Sequence, residues 1–123
     1  MFARKVSVRL KAGGAGPFIR KMEDEIIPLL RKQKGFIDEV TFISQSGKEI
    51  YAYSFWENSD DAERYDHTTF REVTNLLTEL INGTIRVHTY MVANCTFHKT
   101  ASAEVNVLKL GWPPLYRSSG ARP

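Results

Sequence analysis

The sequence has one cysteine and no long apolar run, and each scarcity excludes a class of protein. A lone thiol, Cys95, cannot form a disulfide within the chain. The uncharged stretch "MVANCTF", residues 91–97, is far shorter than the roughly 20 apolar residues of a membrane-spanning helix. The first residues lack an apolar segment of signal-peptide length. We therefore expect a cytoplasmic chain without a membrane segment, and its 123 residues suffice for one domain with a modest core.

Patterns for metal, phosphate and nucleic-acid binding are also scarce. The three histidines, His67, His88 and His98, show no paired metal-ligand spacing. The glycines of "AGGAG", residues 12–16, are not followed by the Lys-Ser/Thr of a phosphate-binding loop. The net charge is +3, but basic and acidic residues are interleaved. The sequence therefore predicts no metal site and no nucleic-acid partner.

Hydrophobic periodicity predicts a strand and a helix in the first 35 residues. Polar and apolar residues alternate in "RKVSVRLK", which predicts a strand from Ala3 to Ala12. Apolar residues then recur every three or four positions, which predicts an amphipathic helix from Pro17 to Gly35. Pro28 lies inside that helix and lacks an N–H donor, so we expect a kink there.

The middle of the chain is predicted to form a hairpin and a divided helix. Two β-branched and aromatic runs flank "SQSGKE", which predicts paired strands at Phe36–Ser44 and Lys48–Trp56. Asn58 or Ser59 should cap the next helix. The polar "DHTT", Asp66–Thr69, should split this helix into a short and a longer part.

The final core element is predicted to be a long strand. Asn82-Gly83 should stop the second helical region, and a strand should follow from Thr84 to Lys99. The order strand, helix, strand, strand, helix, strand is the ferredoxin-like α+β pattern, with an antiparallel four-stranded sheet. Residues 1–100 would form this domain and residues 101–123 a C-terminal arm.

The third predicted strand is apolar on both faces. Tyr51, Tyr53 and Phe55 alternate with Ile50, Ala52 and Trp56. The helices can cover only one face of the sheet, and an exposed apolar sheet face is typical of a partner surface. We therefore expect a homodimer.

Three motifs carry a resemblance to a known family. "PLLRKQKGF" (residues 28–36), "YSFWENSDDAERY" (53–65) and "FREVTNLL" (70–77) resemble the antibiotic biosynthesis monooxygenase family of the dimeric α/β-barrel superfamily. The similarity spans about residues 3–98, with Lys34 where the family usually has proline. The resemblance implies a dimeric α/β barrel, an oxidoreductase that needs no cofactor, and a small aromatic or polyketide-like substrate between sheet and helices.

The superfamily also contains haem-degrading enzymes, isomerases and members without known activity. The haem-degrading branch has a tryptophan in its second helix, a histidine ligand about ten residues later and an asparagine on its first strand. The corresponding positions here hold Tyr65, Thr74 and either Ser7 or Arg9. This departure disfavours haem chemistry.

A cofactor-free oxygenase needs a basic or hydrogen-bonding group and apolar walls. We nominate His67, Tyr65 and Trp56 as catalytic residues, since His67 lies at the helix break and histidine titrates near neutrality. The substrate-binding candidates are Tyr53, Arg86 and His88.

A structural interpretation competes at each nominated position, because aromatic residues between sheet and helices fill any core of this kind. The alternative function is therefore a non-catalytic dimeric module that binds a small apolar ligand or serves as a structural partner.

Overall fold

The structure, a computed structural model, describes residues 1–96. The predicted arm at 101–123 and the end of the last predicted strand lie outside the described residues. Four strands alternate with two helical regions along the chain. The strands are β1 (Phe2–Arg9), β2 (Phe36–Ile43), β3 (Glu49–Trp56) and β4 (Arg86–Met91). The helices are α1 (Ala15–Lys21), α2 (Ile27–Arg31), α3 (Ser59–His67) and α4 (Thr69–Leu77).

The four strands form one antiparallel sheet in the order β2-β3-β1-β4. This arrangement confirms the predicted ferredoxin-like α+β fold. The helices cover one face of the sheet, which we call the inner face, and the core lies between these two layers. The other face is the outer face. No helix among the described residues is long and apolar enough to cross a membrane.

The first helical region is continuous but contains a wide turn. A π-helical segment, Met22–Ile26, joins α1 to α2, and the Ile27 N–H bonds the Met22 carbonyl five residues earlier. Pro28 follows at once and has no N–H for the regular four-residue bond. The kink predicted at Pro28 is thus accommodated as a π-turn immediately before it.

Gly35 connects this helical region to β2 in a conformation that suits glycine. Its φ is +82°, and a Cβ there would lie 2.1 Å from Oδ2 of Asp61. Asp61 is itself buried in the first turn of α3, where its N–H bonds the side chain of Asn58, the predicted cap. The end of one helical region therefore packs directly on the start of the next.

The helix break and the hairpin are found as predicted, but β4 is shorter than predicted. Thr68 leaves helical geometry (φ −123°, ψ −84°) between α3 and α4. Within the described part of the predicted strand Thr84–Lys99, residues 84–96, only the six-residue β4 is a strand, and all six of its residues are exposed. Among residues 1–96, β4 pairs with β1 alone; β1 begins at Phe2, which lies opposite Met91, so the ladder ends there.

Candidate functional site

An apolar cavity lies between the inner face and the helices. It encloses about 520 Å³ of empty space, its open mouth included. Its walls stand close together and leave little room even for water. Most of its lining is aliphatic or aromatic. The polar side chains of interest here are Arg4, Glu39, Ser54 and Tyr65.

Three of these polar residues form one row across the sheet. Glu39 on β2 is paired with Ser54 on β3, and Ser54 is paired with Arg4 on β1. Residues directly opposite each other on antiparallel strands project from the same face, about 5 Å apart. The row therefore has the Glu39 carboxylate at one end and the Arg4 guanidinium at the other, two strand spacings apart. It forms part of the floor of the cavity.

Tyr65 contributes a buried hydroxyl from α3 above this row. The residue is 4% exposed, and its hydroxyl has no hydrogen-bond partner among residues 1–96. Burial raises the pKa of Tyr65 to about 12, against the opposing effect of the Arg4 charge. The group is therefore a neutral O–H donor at physiological pH. A buried hydroxyl without a partner costs about 1–3 kcal/mol, which a ligand oxygen in the cavity would recover.

Arg4 is a buried cation at the other end of the row. Its Nη2 donates to Oδ1 of Asp66, and its Cζ lies 4.1 Å from the centroid of the Phe70 ring. The Tyr65 ring is 5.2 Å away. Arg4 makes no further hydrogen bond with any of the described side chains. Its remaining N–H donors can therefore bind an anionic oxygen inside the cavity.

Glu39 is a half-buried carboxyl group without an ion-pair partner among residues 1–96. Burial raises its pKa, and a hydrogen bond donated by the Thr41 hydroxyl to Oε2 opposes this shift. A carboxylate with a raised pKa accepts a proton more readily than an exposed one. Glu39 therefore has the environment of a general base.

The structure separates His67 from this cavity. His67 is exposed and lines a different groove, beside Asp66 and the inner-face residues Val87 and Thr89 of β4. His67 therefore faces a groove between α3 and the sheet, but neither Tyr65 nor Trp56 lines that groove. The reason is that α3 carries Tyr65 on its buried side, and two residues later the helix has turned by about 200°.

Trp56 lies behind the cavity wall rather than on it. It is fully buried (0% exposed) and its ring centroid is 5.0 Å from that of Tyr65 and 5.6 Å from that of Phe36. Its indole N–H donates to Oγ of Ser54 at 2.9 Å. Trp56 therefore supports Tyr65 and Ser54 from behind, and its only N–H donor is already engaged.

The three predicted substrate-binding residues face the other side of the sheet. Tyr53 borders the cavity, but its ring packs at the outer face against Phe42, 5.8 Å away. Arg86 and His88 pair with Ser7 and Lys5 of β1 and share their outer-face orientation. Of the six nominated residues, the structure brings only Tyr65 into the cavity with its functional group available.

Neither Arg4 nor Glu39 was among the residues predicted from the sequence. A signal for Arg4 was present, because it continues the apolar alternation of Val6 and Val8 and so marks a charge on the buried side of β1. Glu39 carried no such signal. Its neighbours Val40 and Phe42 are more apolar than Glu39 and would be assigned to the core from the pattern alone.

Comparisons with known proteins support the fold. No family model matches the chain, and no curated protein sequence matches it. Among solved structures, a monooxygenase from the Streptomyces coelicolor gene ActVA-Orf6, in complex with Nanaomycin D, has a TM-score of 0.66 at 14% identity and covers 80% of this chain and 92% of its own.

Two further solved structures extend the comparison. A provisionally named antibiotic biosynthesis monooxygenase from Bordetella bronchiseptica has a TM-score of 0.62 at 17% identity, over 72% of this chain and 94% of its own. NE2512, a protein of unknown function from Nitrosomonas europaea, has a TM-score of 0.66 at 8% identity, over 80% of this chain and 95% of its own. At these identities the likeness establishes the fold alone, and at that level the predicted resemblance to the antibiotic biosynthesis monooxygenases is confirmed.

Proposed function

We propose that the protein is a cofactor-independent monooxygenase that oxidises a small phenolic aromatic compound, of one or two rings, to a quinone. The observation that carries the proposal is the unpartnered Tyr65 hydroxyl in an apolar cavity whose floor holds Glu39 and Arg4. The protein also shares its fold with a monooxygenase that has been crystallised with Nanaomycin D. This fold-level likeness supports the reaction class as an analogy.

Each polar group has a role in this reaction. Glu39 takes the proton from the phenolic oxygen at one end of the substrate, and the resulting phenolate is electron-rich at the ring carbon opposite that oxygen. Dioxygen reacts at this carbon. Arg4 and Tyr65 donate hydrogen bonds to the negative charge that develops on the reduced oxygen at the other end of the row.

The reaction balances with dioxygen as the oxidant. One oxygen atom forms the new ring carbonyl, and the other leaves as water with the phenolic hydrogen and the hydrogen displaced from the ring carbon. The substrate loses four electrons and dioxygen gains four. The narrow apolar walls exclude water from the phenolate.

The first test compares Glu39→Gln with His67→Ala. Oxygen uptake with 1-naphthol and related hydroxylated aromatics, together with quinone absorbance, measures the wild-type activity. We expect Glu39→Gln to lower turnover roughly 100-fold or more, the size typical of a lost general base. His67→Ala should keep most of the activity, because its side chain lies outside the cavity.

The converse result would restore the original prediction. A large loss in His67→Ala with an unchanged melting temperature, and full activity in Glu39→Gln, would identify His67 as the base and exclude Glu39. A monooxygenase should consume one molecule of oxygen for each molecule of quinone formed and should release no hydrogen peroxide. Peroxide in place of ring oxygenation would overturn the reaction proposed here.

The alternative is a non-catalytic module that binds a small aromatic ligand. The closeness of the cavity walls favours it, because a bicyclic ligand enters only if side chains such as Phe70 move. Saturable quenching of Trp56 fluorescence by 1-naphthol, without oxygen uptake above the uncatalysed rate, would support this alternative.

We further infer that the outer face is covered by a second copy of the chain. Val40, Phe42 and Tyr90 are 40%, 54% and 46% exposed on this face, and Tyr51, Tyr53 and Phe55 lie between them. A contiguous aromatic surface of this kind is unfavourable in water. Face-to-face packing of two sheets would bury it on both chains.

A further inference from the structure

A second apolar groove lies on the far side of Glu39 from the cavity. It is open to solvent between the π-helical segment and β2, and it encloses about 580 Å³ of space, open solvent included. Its exposed lining residues are Ile19 and Ile43, which are 42% and 41% exposed, and the acidic Glu23. Because β2 is an edge strand of the described sheet, no further strand of residues 1–96 covers the groove.

Three side chains separate the groove from the cavity. Met22, Glu39 and Ile50 line both spaces. Ile50 is fully buried and fixed on the sheet, whereas Met22 is unbranched, has three rotatable side-chain bonds and adapts its shape easily. Movement of the Met22 side chain alone would therefore join the two spaces beside the Glu39 carboxylate.

The backbone around Met22 is unusual in the same place. The π-turn begins at Met22, and such wide turns are frequent at functional sites. Thr41, which donates its hydroxyl hydrogen to Glu39, also lines the groove. The carboxylate that faces the cavity is thus oriented from the groove side.

We propose that the groove binds an apolar substituent next to the phenolic oxygen of the substrate. This inference rests on the proposed function of the cavity, and it names the substrate class: a phenol whose alkyl group is adjacent to the hydroxyl. Glu39 lies at the junction, so the hydroxyl lies at the junction too. The ring extends into the cavity, and a substituent on the neighbouring ring carbon extends past Met22 into the groove.

Two isomeric ligands test the proposal on the unmodified protein. 2-Pentyl-1-naphthol has its pentyl group next to the hydroxyl. 5-Pentyl-1-naphthol has the same pentyl group on the other ring, so the two ligands have the same apolar area. We expect the 2-pentyl isomer to bind about tenfold or more tightly than the 5-pentyl isomer, since a buried methylene contributes strongly to affinity. Equal affinity of the two isomers would overturn the proposal.

Substitutions at the rim of the groove test whether the pentyl group of the ligand lies there. Ile19→Glu and Ile43→Glu should abolish the preference for the 2-pentyl isomer and leave the affinity for 1-naphthol unchanged. Arg20→Glu, at an exposed neighbour that does not line the groove, is the matched control and should keep the preference. An equal loss of affinity for all three ligands in the Ile variants would contradict the assignment.

Methionine signals give a readout independent of activity. The chain has three methionines, Met1, Met22 and Met91, so methyl-labelled methionine gives three resolvable signals. The 2-pentyl isomer should shift the Met22 signal more than 1-naphthol does and leave Met91 unchanged. Isomer-selective binding without oxygen uptake would support the groove as the alkyl-binding site and refute the oxygenase activity. Oxygen uptake without isomer selectivity would support the oxygenase activity and refute the groove as the alkyl-binding site.

Discussion

At the scale of single residues, the candidate site consists of polar groups whose surroundings differ from water. Glu39 and Tyr65 both have raised pKa values, and burial is the main cause in each case. Tyr65 stays protonated up to about pH 12 and acts only as a hydrogen-bond donor near neutrality. Glu39 is therefore the group of the two that can accept a proton from the substrate.

The raised pKa of Glu39 makes the stability of the protein depend on pH. The folded state binds the proton more readily than the unfolded state, whose pKa has the ordinary value of 4.5. The free energy of unfolding therefore falls as pH rises from 4.5 through the raised pKa, and it then levels off. Glu39→Gln cannot ionise and avoids this loss.

Melting temperatures between about pH 4 and pH 8 test this dependence. The melting temperature of Glu39→Gln minus that of wild type should increase as pH rises from 4.5 through the raised pKa of Glu39, and it should then stay constant. Glu63→Gln, an exposed position on α3, corrects for the general effect of removing one negative charge. A constant or decreasing difference for Glu39→Gln, after this correction, would contradict the stated burial effect.

At the scale of elements, the junctions at helix ends position the site. The π-turn before Pro28 begins at Met22, whose side chain lines the cavity. The start of α3 is fixed by the Asn58 cap and by the contact between Gly35 and Asp61, and α3 in turn presents Tyr65 to the cavity. A change at Gly35 should therefore disturb the protein more than a change at a glycine in a solvent-exposed turn.

We expect Gly35→Ala to be clearly more destabilising than Gly47→Ala. Both glycines have positive φ values, +82° and +76°, so both substitutions carry a backbone cost of roughly 1 kcal/mol. A Cβ at Gly47 meets nothing within 4 Å, whereas at Gly35 it would overlap the buried Asp61 side chain. The Gly35 variant should lose at least about 2 kcal/mol.

Denaturant unfolding of the two glycine variants measures the difference. Gly35→Ala should lower the free energy of unfolding more than Gly47→Ala does. This difference measures the overlap with Asp61, because both variants have the same backbone cost. A loss of the same size in both variants would mean that α3 shifts without cost, and the account of this junction would then be wrong.

At the scale of the whole molecule, assembly is the main expectation. The outer face carries aromatic side chains from β2, β3 and β4, and Lys5 lies over two of them, with its Nζ 5.3 Å from the Tyr51 centroid and 6.0 Å from that of Tyr53. One lysine covers little of this surface. The chain should therefore dimerise through the outer face while the cavity stays on the opposite face of each sheet.

Phe42→Lys should convert the dimer to a monomer. Phe42 is 54% exposed on the outer face, and a lysine there would place two charges in a two-fold interface. Its neighbour Ile43 is 41% exposed but lies on the inner side of β2, so Ile43→Lys is the matched control and should remain dimeric. Sedimentation equilibrium gives the masses, and a one-chain mass for the wild type at micromolar concentration would refute the dimer.

The order of the strands and helices could be predicted from local sequence patterns. Alternation in "RKVSVRLK" predicted β1, although the strand is Phe2–Arg9 rather than Ala3–Ala12. The Asn58 cap and the break at Thr68 were visible because capping and turn formation depend on adjacent residues. Local patterns of this kind suffice for the ferredoxin-like fold, since period and turn chemistry are properties of short segments.

Which side chains share the cavity depends on how the strands pair. The pairing of β2 with β3 shifts register between Phe36 and Asp38, and this irregularity places both Phe36 and Glu39 on the inner face. In a regular strand, Phe36 and Val40 would both lie on the inner face, and Glu39 would lie on the outer face. Such a bulge depends on how two distant segments pair rather than on local sequence, and it reverses every later side chain of the strand.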